Sequence, residues 1–402
     1  MSASTNGRYL KTAANTPFFS ILDTAWCAPQ QLTTAQMDTY VADCVTRKIN
    51  GIIVELIESA FSDNAPNTID SIAPFTTPND FSTTNNTYFN RVDYLVQKCL
   101  DAGIVVWMWP LYVGLQPGGS QGWSSQFDAE TTGDRQGWGT FIANRYKGYK
   151  NIVFVHGGDG TPASFTNINH YIDTLVAVAP GFLHSFHAAR DTSAYTSANG
   201  QSWLNLNNTY ISSTPGESAI TEYGRSPVRP VFFVEGNYET AGSGGSSIRN
   251  ELWQSLCSGC LAGVAYGHND IWTFGGPGFD QNFESHYGDN GRASLQHIRT
   301  LVDLYSWWML EPKTDTSLVT TALGSGNAKI CPMLASDATF AWIYSPSVNF
   351  TLQKAAFSPS LIRIRSYTTS SGSFSTITAS TANTGTQAIT VSADQVIVVD
   401  AA

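Results

Sequence analysis

From Pro17 to Tyr305, short apolar runs alternate with segments whose apolar positions recur at helical spacing. Phe18–Leu22, Ile52–Val54, Ile104–Trp107, Ile152–Val155 and Val231–Val234 have strand length. Phe182–His184 and Trp203–Leu206 are weaker runs, and Leu261–Tyr266 is small and punctuated by glycine. Between the runs, Met37, Tyr40, Val41, Cys44 and Val45 share one helix face, as do Val92, Leu95, Val96, Cys99 and Leu100, with Gly103 placed to stop the second helix. Trp138, Phe141, Ile142 and Tyr146 mark a third helix, and Leu295, Ile298, Leu301, Val302 and Tyr305 the last. Eight strands alternating with helices predict an α/β chain folded as a (β/α)8 TIM barrel. A doubly wound sheet is the alternative, but no G-x-G-x-x-G follows the first run.

The pattern changes after Glu311-Pro312. Phe340–Tyr344, Leu361–Arg365 and Gln395–Val399 are short alternating segments separated by Ser/Thr/Gly turns. They predict a small antiparallel β-sandwich, so the expected division is a barrel over 1–312 and a sandwich over 313–402. The glycine-rich stretches Pro117–Gly122, Gly242–Ser247 and Gly275–Gly278 read as loops. None has the spacing of a phosphate-binding loop.

Composition narrows the function classes. The chain has 402 residues, 42% of them hydrophobic and only 13% charged, with a formal net charge of −10. A broad nucleic-acid surface is not expected, because phosphate neutralisation needs clustered Lys and Arg. Polarity comes from Ser, Thr, Asn and Gly, which suits neutral, hydroxyl-rich partners or life outside the cell. The 11 tryptophans fit either a large core or a cleft that stacks on sugar rings. No apolar run reaches the roughly 18–20 residues of a membrane helix, and Met1–Asn15 is polar without the core of a signal peptide. The expected setting is extracellular or secreted, with virion association as a further option. Cys257-x-x-Cys260 lies in an apolar helical stretch without a second pair at ligand spacing, so it reads as packing.

In a (β/α)8 barrel, chemistry collects at the C-terminal ends of the strands. There the sequence places Asp23 and Trp26, Glu55 and Glu58, Trp107 and Trp109, His156 and Asp159, His184 and His187, Asn205 and Asn207, Glu235, Tyr238 and Glu239, and His268 and Trp272. This set is rich in carboxylates, tryptophans and amides. It suits a glycosidase, which works with two carboxyl groups across an oxocarbenium-like transition state. Asp159 and Glu235 each follow a buried apolar run, at strands that face each other across the barrel mouth. Glu239 is a competing nucleophile candidate, four residues further out. Asp23 can bind sugar hydroxyls or cap the next helix. Trp26, Trp107, Trp109 and Trp272 can stack on sugar rings or belong to the core. His156, His187 and His268 can donate to hydroxyls or tune the carboxyl groups.

The segments Pro17–Trp26, Val153–Asp159, Pro230–Glu239 and Tyr266–Trp272, in this order, resemble the apiosidase-like catalytic domain family, which includes the endo-apiosidases of glycoside hydrolase family 140. The resemblance spans roughly Arg8 to Trp308. It implies a (β/α)8 barrel followed by a β-sandwich of the kind labelled collagen-binding. It also implies a retaining glycoside hydrolase acting on a plant, bacterial or capsular polysaccharide. The family's general acid/base maps onto Asp159 in Gly157-Gly158-Asp159, and its nucleophile onto Glu235. Gly236-Asn237 departs from the proline that more often follows that Glu. The substrate-binding set is then Asp23, Trp26, Glu55, Trp107, Trp109, His156, His187, Asn205, Tyr238, Glu239, His268 and Trp272, with no cofactor and no metal. The double role of Asp159 requires it protonated at rest and Glu235 ionised.

Two other classes compete. A metal-dependent hydrolase on the same barrel would bind zinc through His156, Asp159, His184 and His187, but such barrels usually carry His-x-His at the first strand. A non-catalytic carbohydrate-binding or virion-attachment protein would not need both carboxyl groups.

Overall fold

The structure, a computed structural model, describes residues 1–115 and 120–402. The loop expected from Pro117 lies partly outside the described residues. The barrel strands are β1 (Ser20–Thr24), β2 (Gly51–Glu55), β3 (Val105–Trp109), β4 (Ile152–Gly157), β5 (His184–His187), β6 (Asn207–Tyr210), β7 (Val231–Glu235) and β8 (Gly263–His268). They pair in parallel in the order β5-β4-β3-β2-β1-β8-β7-β6.

Among the described residues, no ladder joins β5 to β6. Side chains and strand ends bridge that seam. Asn208 Nδ2 donates to Phe186 O at 2.8 Å and to Ser185 Oγ at 3.1 Å, while the N–H of Leu206 donates to His184 O at 3.1 Å.

Alternation along each strand divides the core. In β4, Val153 and Val155 point into the barrel, where they join Leu22, Ile53, Trp107, Phe232 and Val234. Ile152 and Phe154 point outward and pack with the helices. The main helices are α1 (Thr34–Thr46), α2 (Asn86–Asp101), α3 (Thr132–Tyr146), α4 (Thr166–Val178), α5 (Pro215–Tyr223), α6 (Gly245–Leu256) and α7 (Leu295–Leu304). Thr33 and Gln36 form a capping box that starts α1. Gly103, at φ +72°, follows α2 where the sequence predicts a stop.

The strand positions differ from the sequence reading in the second half. Trp203–Leu206 is not a strand; the sixth strand is the polar Asn207–Tyr210 that follows it. Its buried amides are satisfied, because Asn207 Nδ2 donates to Glu222 Oε2 at 3.0 Å and Asn207 Oδ1 accepts from Tyr195 N at 2.9 Å. A scan for apolar runs misses such a strand. The fifth strand likewise starts at His184, two residues beyond Phe182.

The chain ends in antiparallel β-structure. Strands β9 (Leu310–Pro312), β10 (Cys331–Ala335), β11 (Ala341–Pro346), β12 (Phe350–Gln353), β13 (Leu361–Thr368), β14 (Ser373–Ala382), β15 (Thr386–Ile389) and β16 (Asp394–Ala401) form a six-stranded sheet, β9-β10-β11-β16-β13-β14, and a β12-β15 pair. Ile343, Ile364, Ile397 and Val399 pack inward against Phe350, Leu352 and Ile389 of the pair, which makes the small sandwich. The opposite face, with Trp342, Tyr344 and Val398, joins the core shared with the barrel helices. Tyr344 stacks on Trp253 of α6 with ring centroids 6.4 Å apart. All six cysteines are buried and unpaired, Cys257 and Cys260 among them.

Candidate active site

The strand ends of the barrel surround a cavity of about 400 Å³. Trp26, Glu55, Phe61, Tyr112, Gln121, Asp159, Arg190, Tyr210, Glu235, Gly236, Asn237, Tyr238, Ala241, Asn269 and Trp272 line it. Among the described residues, the lining includes none from the C-terminal sheets.

Asp159 is held by an unusual backbone. Gly157, Gly158 and Asp159 have φ of +85°, +127° and +44° in succession. A side chain on Gly158 would overlap the Tyr112 ring, and one on Gly157 would overlap the His187 carbonyl and the Phe186 ring. The two glycines are therefore required by neighbouring protein groups. Asp159, which is not glycine, carries local strain in the left-handed region, a cost typical of functional positions.

Glu235 ends β7. Oxygen or nitrogen atoms of Asp159, His187 and Glu235 all lie within 4.8 Å of one another. His187 Nε2 stands 3.2 Å from Glu235 Oε2, yet both buried ring nitrogens lack a well-directed hydrogen bond. Burial pushes the Glu235 carboxyl above its ordinary value, and the charge of Asp159 adds to this, whereas His187 and Tyr238 pull it down. The sequence reading expects an ionised Glu235, so burial works against that requirement and its two neighbours work for it. Burial and then the charges of Glu235 and Asp159 push the Tyr210 hydroxyl up, which keeps it a hydrogen-bond donor at the cavity wall.

The predicted binding residues divide into three groups. Trp26, Glu55, Tyr238 and Trp272 line the cavity with the two carboxyl groups. Trp26 Nε1 donates to Tyr238 Oη at 2.9 Å. Trp109 and His187 lie just behind the wall. Trp109 meets Trp26 edge-on at 4.7 Å, and His187 lies parallel to Trp26 at 5.9 Å.

The remainder are not at the mouth. Trp107 sits deeper in the barrel, 4.4 Å from the Phe232 ring. Asp23 is fully buried and neither binds at the cavity nor caps a helix; it accepts from Tyr40 Oη and Arg292 Nε, each at 3.0 Å. His156 points to the helix layer, where Nδ1 meets Tyr171 Oη at 2.7 Å and Nε2 meets His184 Nδ1 at 3.0 Å. Burial pushes its pKa down. Asn205 lies at the opposite end of the barrel and accepts from His184 N at 2.7 Å. Glu239 turns away from Asp159 and accepts from Tyr266 Oη and from Gly291 N at 2.9 Å. His268 is buried against Asp289 Oδ2 at 2.9 Å. Strand alternation explains Asp23 and His156: each sits one residue out of phase with the inward face.

These placements bear on metal binding. The zinc set of His156, Asp159, His184 and His187 is not assembled, because His156 and His184 face the helices. Among the described residues, two other groups have ligand atoms close enough for a cation: Asp159, His187 and Glu235, and, beside the cavity, His268, Asp270 and His286.

Tyr112, Tyr210, Arg190, Asn237 and Asn269 line the cavity without having been singled out by the sequence. Tyr112 follows Trp109 by three residues, and Tyr210 ends the strand that the sequence reading misplaces. Asn237 is fixed from behind. Its backbone N–H donates to Glu251 Oε2 at 3.0 Å, and its side-chain amide donates to Glu251 Oε1. Glu251 belongs to α6 and is 3% exposed; burial pushes its carboxyl up to about 7.

Solved structures share the fold. A glycoside hydrolase family 5 protein from Bacteroides vulgatus matches with a TM-score of 0.86 at 19% identity, covering 100% of this chain and 93% of that one. A second glycoside hydrolase matches at 0.86 and 20% identity, covering 100% and 96%. The exo-beta-1,4-mannosidase of Opitutaceae bacterium strain TAV5 matches at 0.51 and 13% identity over 76% of this chain and 62% of its own. No curated protein matches the chain in sequence. The family described as "Apiosidase-like, catalytic domain" matches residues 4–309. The fold and this match establish a glycoside-hydrolase-type catalytic domain, and the chain belongs to the apiosidase-like catalytic domain family.

Proposed function

We propose that the chain is a retaining glycoside hydrolase acting on an oligo- or polysaccharide, with Asp159 as general acid/base and Glu235 as nucleophile. The observation that carries this reading is the approach of the two carboxyl groups, within 4.8 Å, across a cavity walled by Trp26 and Trp272. Retention needs carboxyl groups roughly 5–5.5 Å apart, whereas inversion needs roughly 6.5–9.5 Å to admit a water.

In the first half of the reaction, Asp159 gives its proton to the glycosidic oxygen as the bond from that oxygen to the anomeric carbon breaks. A Glu235 oxygen forms the new bond to that carbon. In the second half, Asp159 takes a proton from water, the water oxygen bonds to the anomeric carbon, and Glu235 leaves as a carboxylate. This mechanism requires the resting pair to hold one proton. With Asp159 protonated, its charge no longer opposes ionisation of Glu235, and His187 and Tyr238 stabilise the anion. Trp26 and Trp272 offer aromatic faces and edges to the sugar. The family favours an apiose-containing substrate, while Gly236-Asn237 gives this cavity a wall of its own. The sandwich serves stability or glycan attachment, and a secreted setting fits the low charge.

A screen of pectic, arabinan and capsular glycans, read by released product, tests the activity. Replacing Glu235 by Ala abolishes turnover on every substrate. Replacing Asp159 by Ala costs least with activated aryl leaving groups, and azide restores turnover. Product of inverted configuration by NMR refutes the mechanism.

A further inference from the structure

Glu55 ends β2 and lines the cavity, yet the displacement above makes no use of it. The residue is 3% exposed. Among the described residues its hydrogen bonds are made by the backbone: its N–H donates to Trp26 O at 3.0 Å, and its carbonyl accepts from Gln30 Nε2 at 3.3 Å. Among the described residues the carboxyl has no hydrogen-bond or ion-pair partner, and the residue lines the cavity. Glu58, three residues on, is the contrast. Its carboxyl accepts from the N–H groups of Ala60, Phe61 and Ser62 and from the Ser62 hydroxyl.

Among the described residues, Glu55 interacts electrostatically with Cys27, Glu58, Tyr88, Tyr112 and Asp159, none of them a cation. Arg190 reaches the cavity from an exposed position and donates to Asn237 Oδ1 at 3.4 Å. An ionised Glu55 would therefore be a buried charge that, among the described residues, has neither an ion-pair partner nor a hydrogen bond to its carboxyl, an arrangement proteins avoid by keeping the proton. A carboxylic acid both donates and accepts, as a sugar hydroxyl does. An anionic ligand group at this wall would meet Asp159 and Glu235.

We propose that Glu55 is a specificity-determining residue that stands in the cavity as a neutral carboxylic acid and donates a hydrogen bond to a hydroxyl of the bound sugar. The hydroxyl partner rests on the glycosidase reading. Burial, followed by the charge of Glu58, pushes this carboxyl well above the ordinary range, in agreement.

Two measurements test the proposal. The first compares Glu55→Gln, which keeps a donor and an acceptor in the same shape, with Glu55→Leu, which keeps only the volume. On the 4-nitrophenyl glycoside that the wild type cleaves best, E55Q holds kcat/KM within about threefold, while E55L loses on the order of 10- to 100-fold. E55Q falling as far as E55L, or E55L matching the wild type, overturns the contact. The second is a carboxyl 13C NMR titration of protein labelled at glutamate. A resonance absent from E55Q stays in its acid form at neutral pH; titration of that resonance near the ordinary 4.5 overturns the proposal. The titration needs no substrate, so it judges the protonation of Glu55 independently of the glycosidase reading.

Discussion

Glu251 offers a quantitative test of the wall behind Asp159 and Glu235. Its carboxyl stands at about 7 against an ordinary 4.5, because α6 holds it out of water, and Asn237 compensates only in part. A folded-state pKa above the unfolded one means that the folded chain binds the extra proton. The contribution of this group to stability is full below the unfolded value and is lost as pH rises through the folded one. Taking these two values, linkage gives a loss of about 2.5 kcal/mol between about pH 5 and about pH 8. Glu251→Gln keeps the shape and one acceptor for Asn237, and it cannot titrate. The variant should therefore gain about 2.5 kcal/mol on the wild type over that interval, whatever fixed cost the lost acceptor adds at both ends. Isothermal urea unfolding of the two proteins at both pH values reads the difference directly. Parallel changes in wild type and variant would refute the reasoning, since they would mean that Glu251 is solvated and titrates normally.

Three further outcomes follow from the site. As the proposed nucleophile, Glu235 must be ionised to attack, and its pKa is raised by burial, so kcat/KM should fall with decreasing pH through a value above 4.5; an acid limb at or below 4.5 contradicts the burial argument. Gly158→Ala forces a side chain into the Tyr112 ring at φ +127° and should cost roughly 2–4 kcal/mol together with most of the activity, seen as a lowered Tm; an unchanged Tm means that the turn can relax. Activity should survive EDTA. Loss on chelation, restored by zinc, would give the role of Asp159, His187 and Glu235 to a metal ion.

The barrel was legible where strands are apolar and helices are amphipathic. Ile52–Val54 and Val231–Val234 stand out as runs, and the α2 positions Val92, Leu95, Val96 and Cys99 are all buried. Strand β6 was not legible, since Asn207 and Asn208 are buried through hydrogen bonds and no hydropathy pattern encodes that. Asp159 and Glu235 could be placed at the cavity because Glu235 directly follows such a run and Asp159 comes four residues after one. Asp23 and His156 show the limit: both lie at strand ends, but the phase of the pleat turns them outward, and one residue of register decides between cavity and core. Tyr112, Arg190 and Asn237 lie in loops, where spacing carries no directional signal.

The seam between β5 and β6 has a consequence for how the molecule loses its site. Where a ladder is replaced by Asn208 and a few strand-end contacts, the sheet has its cheapest place to part, and local opening with a free energy below that of global unfolding begins there. His187 hangs on one side of this seam and Tyr210 on the other, and both adjoin the Asp159–Glu235 pair. Amide protons of β5 and β6 should then exchange ahead of those in β2 and β3. Heat inactivation should then precede melting, with Asp159 and Glu235 displaced inside a chain that is still folded.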